Sequence, residues 1–194
     1  EGYGWNGKHH RPEMDIVSLY VDQITPKPLN PEQGKQYDLS QDRVERFPKL
    51  NRYPTIADAL TCGTKTLAVD GVLIIAEHGN YPVNEKGQTL WPRYEFFKQM
   101  LSVFRVSGKS VPVFNDKHLS WNWDWAKEMY DASVEFDFPF MAGSSLPVTW
   151  RTPNIELPSQ SRVNEAMCVG CGWSDGGDLH GFETIQSMVE RREG

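Results

Sequence analysis

Apolar residues in this chain fall into four short blocks, and each block stops on a polar or ionisable group. Residues 15–21 (DIVSLYV) are rich in β-branched side chains and end on Asp22. Residues 69–76 (VDGVLIIA) form an almost unbroken apolar run, the pattern of a strand buried on both faces of a parallel sheet, and end at Glu77-His78-Gly79. Residues 110–114 (SVPVF) lead into Asn115-Asp116-Lys117-His118, and residues 139–142 run into Gly143-Ser144-Ser145. All four read as strands.

Between the blocks the spacing changes from two to three and four. Residues 94–105 (YEFFKQMLSVFR) carry apolar positions at helical period, with Gly108 as a stop. Residues 123–136 repeat the pattern through Trp125, Met129, Ala132 and Val134. A shorter helix is expected over 55–60, with Thr55 as cap and Asp58 three residues on, and another over 40–47. Residues 23–41 hold Pro26, Pro28 and Pro31 and read largely as loop. After Leu146 the pattern loosens through Pro147, Pro153 and Pro158, then closes with a helix expected near 182–192. Strand, helix, strand, helix, strand in this order predicts right-handed crossovers and one parallel sheet, hence an α/β fold.

Composition narrows the function classes. The 194 residues are 39% hydrophobic and 24% charged, enough for a core of their own. A formal charge of −6 with Lys and Arg scattered gives no general attraction for nucleic acid or anionic lipid, and neither is expected as a partner. No stretch approaches the roughly 20 apolar residues of a membrane span. Three cysteines, Cys62, Cys168 and Cys171, are too few for a disulfide framework and favour a reducing, cytoplasmic setting.

In an open parallel sheet, ligands bind beyond the carboxyl ends of the strands, where loops vary over a fixed support. That rule selects Asp22, then Glu77, His78 and Gly79, then Asp116, Lys117 and His118, then Ser144 and Ser145. Each has a plainer reading too. Asp22 suits a turn, Glu77 and His78 a solvated loop, and Lys117 a surface position. Gly79 permits close backbone approach to a ligand, and Lys117 has two ionisable neighbours able to tune it. Cys168-x-x-Cys171 fits a redox pair, half a zinc site or two structural cysteines, with no second such pair to complete four ligands. The seven Trp, Trp121, Trp123 and Trp125 among them, suit a sugar-stacking platform or simple packing.

Residues 108–143 (GKSVPVFNDKHLSWNWDWAKEMYDASVEFDFPFMAG) resemble the segment of the Gfo/Idh/MocA oxidoreductase family in which a strand ends in Glu-Lys-Pro and a helix and short strand follow. YPTIADAL with VDGVLIIAEHG is similar to the preceding helix and strand of that family. The resemblance implies a Rossmann-like parallel sheet with helices on both faces over residues 1–146, a degenerate dinucleotide-binding domain. Residues 147–194 would begin a second, substrate-side α+β unit. It implies NAD or NADP as cofactor, held by Asp22 at the ribose and by Glu77, His78 and Gly79, with His118, Ser144 and Ser145 toward the substrate.

Lys117 falls on the family's motif lysine. In GGDLHGFETIQSMV, His180 would stand on its catalytic histidine, with Glu183 in place of Asp. Over nearly its whole length the chain also resembles a group of uncharacterised bacterial proteins that share the segments SLYVDQ, NDKH and AGSSLPVTWR. The departures are the lack of a strand ahead of residue 15, Asp116 for Glu and His118 for Pro. They imply an internal fragment or a worn cofactor site.

The leading expectation is therefore hydride transfer on a sugar-like or polyol substrate, with Lys117, Asp116 and His180 as catalytic groups. The alternatives are a metal-assisted lyase or hydrolase using Glu77, His78, Asp116 and His118, and a non-catalytic sugar-binding or scaffold protein. The oligomeric state is left open, a homo-oligomer included.

Overall fold

A computed structural model describes residues 3–24, 38–77, 79–170 and 175–190. The strands are β1 (Tyr3–Trp5), β2 (Lys8–His10), β3 (Ser18–Tyr20), β4 (Asn51–Tyr53), β5 (Val72–Ile74), β6 (Val113–Asp116) and β7 (Phe140–Gly143). The helices are α1 (Ser40–Arg46), α2 (Ile56–Thr61), α3 (Arg93–Ser107), α4 (Trp123–Glu135) and α5 (Asp175–Val189), with a 3-10 turn at Leu146–Val148. No helix among the described residues is long and apolar enough to cross a membrane.

All four expected strands form, each shorter than or offset from its apolar block. They do not join in one sheet. β5, β6 and β7 make a three-stranded parallel ladder in that order. β3 instead pairs in parallel with β4, a strand that periodicity did not reveal because Asn51-Arg52-Tyr53 has no apolar run. β1 and β2 add an antiparallel hairpin. The expectation of a single sheet through residues 15–21 is thus corrected to two parallel ladders, bridged at their carboxyl ends by side chains. Gln23 donates to the Asn80 carbonyl at 3.3 Å and accepts from the Asn80 N–H at 2.7 Å, and the Tyr81 hydroxyl donates to Asp22 at 2.8 Å.

The core lies on one side of β5–β6–β7. Ile74 and Val113 point into a cluster with Phe97, Met100 and Phe104 of α3, Met129 of α4, and Phe138. Each such side chain contributes about 1.5–3 kcal/mol by leaving water. α2 packs on α3, and Val17 and Tyr20 pack against the same cluster, so β3 shares this core without sharing the ladder. On the opposite face, among the described residues, Leu73, Ile75 and Met141 are each more than 60% exposed. Helices on both faces, as expected from the sequence, are therefore not what residues 70–143 build.

Local signals hold well. The Thr55 hydroxyl accepts the Asp58 N–H at 3.0 Å and caps α2, and Asn122 caps α4 by accepting from the Trp125 N–H. Gly108 closes α3 in the left-handed region that a side chain disfavours. α5 begins seven residues before the expected start, since two glycines at its head weakened the helical signal. The described part of residues 147–194 carries this helix and no strand, and α5 returns to pack on the 3-10 turn that follows β7.

Candidate functional site

The carboxyl ends of β5, β6 and β7 bring most of the expected residues together. Lys117 follows β6 directly and has φ +66°, a left-handed conformation that costs a lysine free energy and persists only where surroundings enforce it. Its N–H donates to the Gly143 carbonyl at 2.8 Å, tying the turn to β7. The ammonium then reaches between two carboxylates, Glu77 at 2.8 Å and Asp116 at 3.0 Å. Burial works to lower the Lys117 pKa, but the hydrogen bonds it donates to Glu77 and Asp116 outweigh it and push the pKa up. The amine stays a cation, suited to hold an oxyanion or a hydroxyl and unsuited to act as a base.

Two buried residues that the strand-end rule does not select fix this turn from below. Arg93 is 1% exposed. Its Nε donates to the Asp116 carbonyl at 3.1 Å, its Nη1 lies 3.4 Å from His118 Nε2, and its guanidinium lies over the Trp91 ring. A cation in the first turn of α3 opposes the helix dipole, so its placement reflects these bonds rather than helix preference. Asn115 is 0% exposed and donates to the His118 carbonyl at 3.0 Å. Its Oδ1 has no hydrogen-bond partner among the described residues. Period two along Val113-Phe114-Asn115 already sends Asn115 inward, a readable signal; nothing in the spacing around Trp91-Pro92-Arg93 marks Arg93.

His118 adds to this support through its contact with Arg93. A guanidinium can only donate, so Nε2 accepts and the ring proton is assigned to Nδ1, which is buried. A metal ion at Nε2 would meet the Arg93 charge. Among the described residues no three His, Cys, Asp or Glu side chains are grouped to hold a metal. His78 and Cys171 lie outside the described residues.

A second cluster adjoins the first across Gly143. The Ser144 N–H and hydroxyl both donate to Glu183, at 2.7 and 2.6 Å, and His180 Nδ1 is 3.0 Å from Glu183 Oε2. Gly143 has φ +143°, and a Cβ there would sit 3.3 Å from Glu183 Oε1, so glycine makes room for the carboxylate. Burial would raise the Glu183 pKa, yet the bonds from Ser144 and His180 hold it below the usual value. With Glu183 accepting at Nδ1, the other nitrogen of His180 is the one left for proton transfer. Ser145 is exposed and uses its carbonyl to start the turn after β7.

Asp22 lies at the far end of the strand row. Its two oxygens accept the hydroxyls of Tyr20, at 2.7 Å, and Tyr81, at 2.8 Å, which fixes the carboxylate and leaves each oxygen a second lone pair. Burial and then Asp22 raise both phenol pKa values, that of Tyr20 to about 12. Gly79 has φ +138°, and a Cβ there would lie 2.6 Å from the Tyr81 ring. Its glycine is thus accounted for by Tyr81 rather than by a ligand. No family model, curated protein or solved structure matches this chain.

Two hollows lie away from these clusters. One of about 400 Å³ runs between α3 and α4 past Lys98, Lys127 and Glu128; the other, of about 650 Å³, lies between residues 157–169 and α5. Among the described residues, Trp125 stacks on Tyr94 at 4.5 Å and meets Trp121 edge-on, so these rings do not form a flat platform.

Proposed function

We propose that this protein is an acid–base enzyme of the oxidoreductase kind acting on a small sugar-like or polyol substrate. The observation that carries the reading is the left-handed Lys117, its ammonium held between Glu77 and Asp116 and its backbone bonded to the strand that carries the Ser144–Glu183–His180 cluster. A permanently charged ammonium binds and polarises a substrate oxygen, and the Glu183-oriented His180 exchanges a proton with it. Asp116 and Glu77 hold the ammonium in place. A cytoplasmic setting fits the free thiols.

NAD or NADP would supply the hydride acceptor when bound. The residues present fit this group in part. Asp22 offers a fixed carboxylate for a ribose hydroxyl, but no glycine-rich turn opening a helix is found among the described residues to cradle a pyrophosphate. The metal-assisted reading has less support, since His118 turns toward a guanidinium.

The test is Lys117→Met and His180→Asn, assayed with a polyol and sugar panel by nicotinamide absorbance. Lys117→Met should raise KM and lower kcat, and His180→Asn should lower kcat and remove its pH dependence, with both proteins still folded. Unchanged turnover in both variants would sink the proposal.

A further inference from the structure

The charges around Lys117 decide the charge of what can bind there. An ammonium has three N–H donors. Glu77 takes one at 2.8 Å, and Asp116, with oxygens at 3.0 and 3.3 Å, takes at least one more, so at most one is left for a ligand. Arg93, the other cation at this turn, is 1% exposed and directs its Nε to the Asp116 carbonyl and its Nη1 to His118. Across Gly143, Glu183 adds a third carboxylate, held ionised by the bonds from Ser144 and His180. A ligand at Lys117 thus meets three carboxylates and one accessible ammonium. Proton uptake by His180 changes this balance by one charge at most.

We propose that this site takes uncharged polyhydroxy substrates and rejects phosphorylated or carboxylated ones, and that Glu77 sets the choice. The inference rests on the sugar or polyol reading above and narrows it. A single remaining N–H suits one hydroxyl oxygen, or the alkoxide formed from it when His180 takes its proton. A phosphate or carboxylate brings two or more acceptor oxygens and a full charge before any reaction, and that charge faces Glu77 and Asp116 with one N–H to offset them. Like charges about 6 Å apart weaken binding roughly ten-fold at an effective dielectric between those of a protein surface and of water. Glu77 is the carboxylate to change. Asp116 lies within β6 and Glu183 also meets His180, whereas Glu77 follows β5 and acts on the ammonium directly.

The test pairs ligands that share a carbon skeleton and differ in charge: glucose with glucuronate and glucose 6-phosphate, and glucitol with gluconate. Binding is read at equilibrium from the ε-methylene NMR signals of Lys117 in lysine-labelled protein, assigned by their loss in Lys117→Met, so it does not depend on turnover. Glucose and glucitol should shift these signals at concentrations at least about ten-fold below those their charged counterparts need, and Glu77→Gln should shrink that ratio several-fold. Taking the ratio within each protein cancels a general loss of affinity in the variant, and the parent alone decides the matter if Glu77→Gln folds badly. Charged ligands binding the parent as tightly as neutral ones, Lys117 signals silent to the whole panel, or a Glu77→Gln ratio equal to the parent's would each overturn the proposal. Selective binding without nicotinamide-linked turnover would sink the enzyme reading and leave this one standing; equal turnover of charged and neutral ligands would do the reverse.

Discussion

Glu183→Gln keeps the shape of the side chain and removes its charge. The carboxylate is 8% exposed and accepts from the Ser144 N–H, the Ser144 hydroxyl and His180 Nδ1, so water does not replace what the substitution removes. The amide keeps one acceptor oxygen and turns an NH₂ toward a group that also donates. Hydrogen bonds to a charged group contribute about 1.5–3 kcal/mol, and relief of the burial penalty on the carboxylate offsets part of this, leaving a net loss of about 1–3 kcal/mol. For 194 residues that lowers Tm by roughly 3–10 °C.

The pH dependence carries the sign. A carboxyl with a depressed folded pKa contributes stability that is complete above its ordinary 4.5 and is lost as pH falls through the lowered value. The gap between parent and variant, measured by urea unfolding followed by circular dichroism, should be full at pH 7 and narrow as pH falls below about 4.5. A gap under about 0.5 kcal/mol at pH 7, the range of an ordinary surface change, or one that persists undiminished in acid, would refute the reasoning.

Gly79→Ala should destabilise by about 1–3 kcal/mol in denaturant unfolding, because a side chain strains its backbone angle and displaces Tyr81. Arg93→Met should cost about 1–3 kcal/mol by leaving the buried Asp116 carbonyl and His118 without their donor, and limited proteolysis should then cut near residues 116–118. Asp22→Asn should bring the Tyr20 phenol down from about 12 toward its ordinary 10, read as tyrosinate absorbance. Tyr20 in the parent contributes stability that is full below pH 10 and lost as pH rises toward 12.

What the sequence made legible is what period and punctuation encode. Uninterrupted apolar runs marked β5 and β6, and helical spacing marked α3 and α4 to within two residues at each end. The strand-end rule then gathered Glu77, Asp116, Lys117 and Ser144 without any motif. It missed what depends on partners far along the chain. β4 is polar and earns its place by pairing with β3. The approach of His118 to Arg93, 25 residues earlier, is likewise invisible in local spacing. Glu183 entered only as a substitute in a resemblance, although its carboxylate joins Ser144 to His180. The bare sheet face was hidden because an apolar strand reads as buried on both sides whether or not its cover is present.

Arg93 sits at the head of α3, the helix that supplies Phe97, Met100 and Phe104 to the core, and its guanidinium holds the turn that carries Lys117. Loosening that turn therefore means exposing part of the best-packed helix of the molecule. Binding loops usually belong to the least stable, earliest-opening parts of a protein. Here the ionisable turn shares the fate of the core: its amides should exchange at rates close to those of α3, and a ligand arriving at Lys117 meets a surface already set in shape, with little ordering left to be done on contact.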